Sequence, residues 1–228
     1  MAKILLIRHG QASFFSDNYD QLSPLGQLQA EALHAYWEKI QWRLDKVYSG
    51  SLERQRHTAQ IAARRHLETL PHQIMPHFNE HCGMDVVKSS GQFELPPAHL
   101  PDAEKHKQVR AFFKTFQKIM DEWVQGKIPE YAKDIETWQA FRARVREGLE
   151  EILSNAEKKE TIAVFTSGGT ISAAVGDILQ LSNSKITELS WMVANSSITE
   201  IVQVRGRTLL RSFNTTPHLI GKKLTSMV

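Results

Sequence analysis

An arginine, a histidine and a glycine directly follow a short apolar stretch near the start of the sequence. The stretch Ile4–Ile7 is continuously apolar and leads into Arg8-His9-Gly10. A neutral imidazole is a competent nucleophile, and a neighbouring guanidinium can hold phosphate oxygens through paired hydrogen bonds. Glycine lets the backbone approach a ligand closely. The triplet alone is a weak signal, because a lone histidine is more often structural than catalytic.

A second polar segment places another arginine where an anion is favoured. The segment 49–54 reads SGSLER and continues to Thr58-Ala59. It puts Arg54 in the first turn of a predicted helix, whose N-terminal dipole and N–H groups attract negative charge. The alternative is a solvated surface arginine. That alternative is the one we expect for Arg56, Arg64 and Arg65.

The elements that must position these residues alternate between strands and helices. Strands are predicted at 4–7, 45–49, 73–78, 161–165, 197–204 and 208–213, the last two joined by a turn at 205–207. Helices are predicted at 24–40, where Ser23 is the cap and Pro24 the first residue, and at 52–66, 109–123, 138–153 and 171–179.

This alternation predicts an α/β fold: a three-layer α/β/α sandwich with a mostly parallel central sheet. We expect one domain spanning residues 1–228, with a helical insertion near 88–135 that covers the site as a lid. In such folds ligands bind beyond the carboxyl ends of the strands. The segments RHG, YSGS and FTSGG each leave a predicted strand at that edge.

Four segments in order resemble one known family. They are LIRHG, LSPLGQLQA at Leu22–Ala30, YSGSLERQRHTA at Tyr48–Ala59, and Asn79-Glu80. Together they resemble the histidine phosphatase superfamily, in its phosphoglycerate mutase-like branch, over most of the chain. The second segment is specific, because the family carries a similar P-L-T-x-x-G-x-x-Q-A there.

The resemblance implies a role for each matching residue. His9 matches the histidine that becomes phosphorylated, and Arg8 and Arg54 match the arginines that grip the phosphoryl group. Glu80 matches the acid that protonates the leaving oxygen, the alternative being an exposed loop carboxylate. The family reading implies a phosphatase acting on a small phosphometabolite or phosphoprotein, with no cofactor and no metal.

One departure from the family pattern concerns its second histidine. The family ends its last core strand with a histidine and glycines, whereas Ser167-Gly168-Gly169 stands here. Serine is shorter and uncharged, and losing a charge-assisted bond to an anion costs about 1.5–3 kcal/mol. Ser167 is also an apt helix N-cap, and the backbone at Gly168 can still donate to a phosphate. Three histidines are candidates to take over the missing role: His57, His81 and His218.

A second departure lies in the loop after Arg8-His9-Gly10. Mutases of the family carry an asparagine six residues after the histidine, where this chain has Phe15. The remaining candidates for lining the pocket are Gly10, Gln11 and Ser13. The difference favours hydrolysis over phosphoglycerate mutase-type phosphotransfer. A catalytically weakened module that binds a phospho-ligand or a protein partner stays open because of Ser167.

Composition excludes several other classes. The net charge of +3, from 28 basic and 25 acidic side chains, is too small to indicate nucleic-acid binding. One cysteine, Cys82, excludes an internal disulfide, and no apolar run is long enough for a membrane span. We therefore expect a cytoplasmic protein, with its oligomeric state open. The SGGT segment lacks the lysine of a nucleotide phosphate loop, and none of the ten histidines falls in an H-E-x-x-H zinc motif.

Overall fold

The computed structural model describes residues 1–13, 20–91, 102–127 and 130–227. The chain forms two compact units, one from residues 1–80 and 144–228 and one from residues 81–143. Phe15 lies outside the described residues. The prediction of one domain over the whole chain stays a prediction.

The first unit holds a six-stranded sheet. Its strands are β1 (Lys3–Arg8), β2 (Lys46–Ser49), β3 (His72–Ile74), β4 (Thr161–Thr166), β5 (Ile198–Val204) and β6 (Arg207–Thr215). The spatial order is β3-β2-β4-β1-β5-β6, in which β1 to β4 run parallel and β5-β6 form an antiparallel hairpin. The predicted α/β class and mostly parallel sheet are confirmed.

The central strands β1 and β4 each have four consecutive apolar residues because both of their faces are covered. Residues 4–7 of β1 and 162–165 of β4 are at most 1% exposed. A strand buried on one face only would alternate with polar residues. This burial explains why the apolar run at the start of the sequence was a reliable strand signal.

Helices flank the sheet of the first unit. They are α1 (Pro24–Lys39), α2 (Glu53–Ala62), α6 (Gly168–Leu179) and α7 (Asn183–Met192). A further helix, α5 (Trp138–Ser154), begins in the second unit and continues into the first. The predicted start of α1 is confirmed: the Ser23 side chain accepts from the Gly26 N–H at 3.1 Å, and Pro24 occupies the first turn. No described helix is long and apolar enough to cross a membrane.

The second unit contains α3 (Gly83–Ser89), α4 (Asp102–Val124) and the first residues of α5. Its aromatic core includes Trp123 and Trp138, whose ring centroids lie 5.4 Å apart. The Trp123 indole N–H donates to the backbone carbonyl of Glu136 at 3.0 Å. The insertion predicted near 88–135 falls within the limits of this unit, and its Trp123 is buried in the aromatic core. The role of the insertion as a lid stays a prediction.

Several elements differ from the sequence predictions. The helix predicted over 52–66 ends at Ala62, and the chain turns so that His66 Nε2 lies 2.9 Å from the Trp42 carbonyl oxygen. The strand predicted over 73–78 stops at Ile74, because Pro76 has no N–H for the ladder and begins a 3₁₀ turn. Neither α3 nor α7 was predicted, since seven and ten residues give little helical periodicity.

Two glycines bring the loop after β1 onto the first turn of α1. A Cβ atom at Gly26 would lie 2.1 Å from the carbonyl oxygen of Gln11, and one at Gly10 would lie 2.3 Å from the carbonyl oxygen of Gly26. Neither backbone can tolerate a side chain at this distance. The glycine of the LSPLG segment is therefore required by its contact with the loop that carries His9.

Replacing Gly26 by alanine should destabilise the fold. The added methyl group must push the helix away from the loop, and such overpacking costs about 1–3 kcal/mol. Urea unfolding at neutral pH measures the loss. Leu28→Ala, an exposed site on the same helix, is the matched control and should stay within about 0.5 kcal/mol. Equal stability of Gly26→Ala and the wild-type protein would contradict this account.

Candidate active site

The candidate site forms where two neighbouring parallel strands end and two helices begin. In the register of β1 and β4, Arg8 pairs with Thr166, and the His9 N–H donates to the Thr166 carbonyl at 2.8 Å. His9 and Ser167 are therefore adjacent, one residue beyond the paired ends. Helix α6 starts at Gly168, and α2 starts shortly after β2 at Glu53.

The hydrogen bonds of His9 determine which ring nitrogen carries the proton. Its Nδ1 lies 2.6 Å from the Gly10 carbonyl oxygen, which can only accept. Its Nε2 lies 3.1 Å from Arg54 Nε, which can only donate. The neutral ring therefore carries its proton on Nδ1, and the lone pair of Nε2 faces Arg54. In that tautomer Nε2 has the lone pair that a nucleophile needs.

The surroundings of His9 keep its ring neutral. Burial lowers the pKa of His9 well below its ordinary value, the positive charges of Arg54 and Arg8 lower it further, and the bond to Gly10 acts in the opposite direction. Both arginines therefore act electrostatically on this ring. A neutral imidazole at neutral pH is the form that can attack phosphorus.

Arg54 is held by an acidic side chain that the sequence analysis did not single out. Its Nη1 donates to Asp20 Oδ1 at 2.6 Å, while Asp20 Oδ2 accepts from the Glu53 N–H at 2.7 Å. One oxygen of Asp20 thus accepts a hydrogen bond from the first turn of α2, and the other holds the Arg54 guanidinium. In this orientation Arg54 Nε donates to His9 Nε2.

Arg8 reaches the same region from β1 and is fixed by backbone carbonyls. Its Nη1 donates to the carbonyl of Val193, and also to that of Met227 at 2.7 Å. Its Nε lies 3.5 Å from the point where a Cβ on Gly168 would stand. A side chain at position 168 would therefore crowd the guanidinium at the start of α6.

The segment Asn79-Glu80 is joined to both helix starts. Asn79 Oδ1 accepts from the Ser51 N–H at 2.7 Å, before α2. Glu80 Oε2 accepts from the Gly169 N–H at 3.1 Å, in the first turn of α6. The carboxyl of Glu80 is thereby placed at the same turn as Ser167. This is a half-buried, anchored position and differs from the alternative of an exposed loop carboxylate.

The family of the chain follows from its match to a family model. The model of the histidine phosphatase superfamily (branch 1) matches residues 4–216. The chain belongs to this superfamily. It is an enzyme of the histidine phosphatase type, as the resemblance in sequence implied. No curated protein sequence matches the chain.

Solved structures of the histidine phosphatase fold cover nearly the whole chain. Phosphoserine phosphatase from Entamoeba histolytica is 20% identical, with a TM-score of 0.67 over 96% of this chain and 100% of that one. The alpha-ribazole phosphatase from Shigella flexneri is 20% identical, with a TM-score of 0.65 over 94% and 96%. A mycobacterial glucosyl-3-phosphoglycerate phosphatase is 20% identical, with a TM-score of 0.66 over 93% and 98%. At this identity the likeness establishes the fold.

The predicted capping role of Ser167 in this histidine phosphatase is wrong. Ser167 occupies the N-cap position of α6, but its side chain makes no capping bond. Its Oγ instead accepts from Gln55 Nε2 at 2.8 Å. Gln55 belongs to α2 and is fully buried. The tertiary contact takes the hydroxyl away from the helix end.

The remaining predicted pocket residues lie at the loop and at the helix starts. The Gln11 side chain accepts from Ser23 Oγ at 2.8 Å, so its amide holds the start of α1. The Ser13 N–H donates to the Gln21 carbonyl at 2.8 Å. Gly10 is tied to α2 by its N–H, which donates to Thr58 Oγ1 at 3.0 Å. Substrate contacts of these residues stay predictions.

The three histidines considered as substitutes have different surroundings. His57 is exposed, 3.9 Å from Glu53 on α2. His81 belongs to the second unit, where its ring packs on Trp123. His218 is buried, with Nε2 3.0 Å from Ser196 Oγ, and its Nδ1 has no hydrogen-bond partner among the described residues.

Two residues that contact the predicted site residues were missed by the sequence analysis. Asp20 left no local signal, because it acts on Arg54 across 34 positions of sequence. Gln55 did leave one: it is a polar residue on the same face of α2 as the buried Ala59 and Ala62. Among the described residues, no three His, Cys, Asp or Glu side chains are grouped so that they could hold a metal ion.

The stability of the protein should fall between pH 7 and pH 5, in part because of His218. Burial and the charge of Lys222 lower the pKa of His218 to about 4, from 6.5. Below pH 6.5 this histidine therefore binds a proton in the unfolded chain but stays neutral in the folded protein. At pH 5 the difference lowers the free energy of unfolding by about 2 kcal/mol. Urea unfolding of the wild-type protein and of His218→Gln at both pH values measures the contribution of His218 to the loss of stability. An equal decline in the variant would contradict the assignment.

Proposed function

We propose that the protein is a phosphatase that hydrolyses phosphomonoesters through a phosphohistidine on His9. The observation that carries the proposal is the fixed tautomer of this histidine, with a proton on Nδ1 held by Gly10 and a lone pair on Nε2 facing Arg54. A buried, neutral imidazole that is oriented by Arg54 and lies near the charge of Arg8 suits attack on phosphorus.

In the first step, an incoming phosphoryl oxygen takes over the N–H of Arg54 and releases the lone pair of His9 Nε2. That lone pair forms a bond to phosphorus, and the ester P–O bond breaks. Arg8, Arg54 and the start of α6 at Gly168 offset the charge that develops on the phosphoryl oxygens.

Glu80 supplies the proton that the leaving oxygen requires. Its anchored position at the Gly169 N–H supports this role, because the carboxyl is fixed at the turn beside Ser167. In the second step Glu80 accepts a proton from a water molecule, whose oxygen forms a bond to phosphorus while the P–Nε2 bond breaks. Free phosphate leaves, and the lone pair returns to His9 Nε2. The same carboxyl group thus acts as the general acid in the first step and as the general base in the second.

The substrate class that we favour is a small phosphorylated molecule. The structural relatives include a phosphoserine phosphatase and a glucosyl-3-phosphoglycerate phosphatase, which supports a phosphometabolite. A phosphoprotein is the wider alternative. Phosphotransfer of the mutase type is less favoured because of Phe15. A weakened phospho-ligand-binding or protein-interaction module is favoured only by Ser167.

We also propose that catalysis needs no metal and takes place in the cytoplasm. Two arginines and a helix N-terminus supply positive charge of the kind that a divalent ion would offer. A single half-buried cysteine, Cys82, is compatible with a reducing compartment. Nucleic acid and membrane binding are not part of this proposal.

The first functional prediction is a phosphorylated His9. A screen over phosphometabolites, run with a chelator present, should identify a substrate. Rapid acid-free quenching with that substrate carrying labelled phosphate should trap an acid-labile, base-stable label on the protein. His9→Ala should carry no label and should lose activity by about a thousand-fold or more, because the covalent route is gone.

The control for this prediction is His57→Ala, an exposed histidine on α2. It should keep both label and turnover. Undiminished hydrolysis by His9→Ala would overturn the mechanism, and a loss with the chelator that Mg²⁺ restores would overturn its metal independence.

A second prediction separates proton donation by Glu80 from binding. Glu80→Gln keeps the acceptor for the Gly169 N–H but cannot transfer a proton. We expect a loss of about 100-fold or more on alkyl phosphates, and a much smaller loss on nitrophenyl phosphate, whose leaving group needs no proton. Steady-state kinetics on both esters measure the ratio. Equal losses would instead assign Glu80 to structure or binding.

A further inference from the structure

Gln55 joins the start of α2 to the end of β4 through its buried side-chain amide. The residue is fully buried, directly after Arg54. Its Nε2 donates to two acceptors: the backbone carbonyl of Phe78 at 3.0 Å and Ser167 Oγ at 2.8 Å. The amide therefore touches the serine that stands where the family has its second histidine.

The Phe78 carbonyl determines which way this amide faces. A carbonyl oxygen can only accept, so the NH₂ end of Gln55 must point towards it. The opposite orientation would place two oxygens against each other. Thr166 Oγ1 also donates to this carbonyl, at 2.6 Å, which fixes its position. The orientation of Gln55 is thus set by the backbone and does not depend on Ser167.

The orientation has a consequence for the Ser167 hydroxyl. Because Gln55 donates to its oxygen, the serine proton points elsewhere, and it has no acceptor among the described residues. Ser167 follows β4 as His9 follows β1, and the strands pair in register up to Arg8 and Thr166. Neighbouring residues in register project to the same face of a sheet. The serine side chain therefore lies on the same face of the sheet as the nucleophile.

We propose that Gln55 is a positioning residue that orients Ser167 as a hydrogen-bond donor to the transferring phosphoryl group. The inference deepens the proposed phosphatase function and rests on it. It gives Ser167 a role similar to the missing histidine, with a neutral O–H in place of a charged N–H.

The cost of placing this amide supports a functional role. Gln55 Oε1 is buried and has no hydrogen-bond partner among the described residues. It occupies the space beside Gly50, where a Cβ would come within 2.0 Å of it. A buried polar atom without a partner destabilises a fold, and an apolar side chain would avoid the penalty. Such exceptions to packing rules concentrate at functional sites.

A double-mutant cycle tests whether Gln55 acts through Ser167. The variants are Gln55→Leu, Ser167→Ala and the pair. Each is assayed for kcat/KM on nitrophenyl phosphate and, by calorimetry, for the Kd of vanadate, which needs no turnover. When Ser167 is present, we expect Gln55→Leu to lower kcat/KM about ten-fold and to weaken vanadate binding about ten-fold. This is the effect of losing one hydrogen bond to an anion. In the Ser167→Ala background the same change should cost less than about two-fold.

The controls separate positioning from folding. Gln60→Leu, an exposed glutamine on the same helix, should leave both measurements unchanged. Melting temperatures of all variants are recorded, and Gln55→Met, which keeps the length of the side chain, replaces Gln55→Leu if that variant does not fold. Equal losses in both serine backgrounds would assign Gln55 to packing and overturn the proposal.

The two proposals fail in different ways. If the wild-type protein binds vanadate but hydrolyses no ester, the phosphatase function is wrong, and the vanadate cycle still decides the role of Gln55. If hydrolysis is normal and Gln55→Leu matches the wild type in both measurements, only the role of Gln55 is wrong.

Discussion

The lone pair of His9 Nε2 is the feature on which the rest of the site depends. It exists because the carbonyl of Gly10 can only accept and Arg54 Nε can only donate, so the ring has one tautomer. Burial and two nearby positive charges then keep the ring unprotonated. The fold must therefore bring a strand end and a helix start into contact, which the pairing of β1 with β4 and the bond from Gly10 to Thr58 achieve.

The two arginines of the candidate site are each restrained by contacts with other parts of the first unit. Arg54 is held by Asp20, and Arg8 by the carbonyls of Val193 and Met227. Restraint of this kind lowers the entropy that a flexible side chain would lose on binding an anion. The acidic Asp20 also offsets part of the positive charge of Arg54.

The Ser167 side chain, which stands where the family has its second histidine, is bonded from a different element. A serine leaves space at the end of β4, and the Gln55 amide from α2 fills it and bonds to the hydroxyl. The same amide needs the absence of a side chain at Gly50. Gly50 and Gln55, close together in sequence, thus form one packing unit with Ser167, which lies 112 positions beyond Gln55.

The sequence by itself determined the local features of this protein: the buried strand before Arg8, the start of α1 at Ser23-Pro24, the hairpin at Arg205-Gly206, and the family to which its motifs belong. Each depends on residues close together in sequence, whose spacing or turn preference is visible without the fold. The tertiary structure alone decided that Asp20 holds Arg54, that Gln55 holds Ser167 and that Ser167 does not cap α6. These contacts join residues 34 and 112 positions apart, and a hydrogen bond between such distant residues leaves no periodic pattern because it depends on the packing of whole elements.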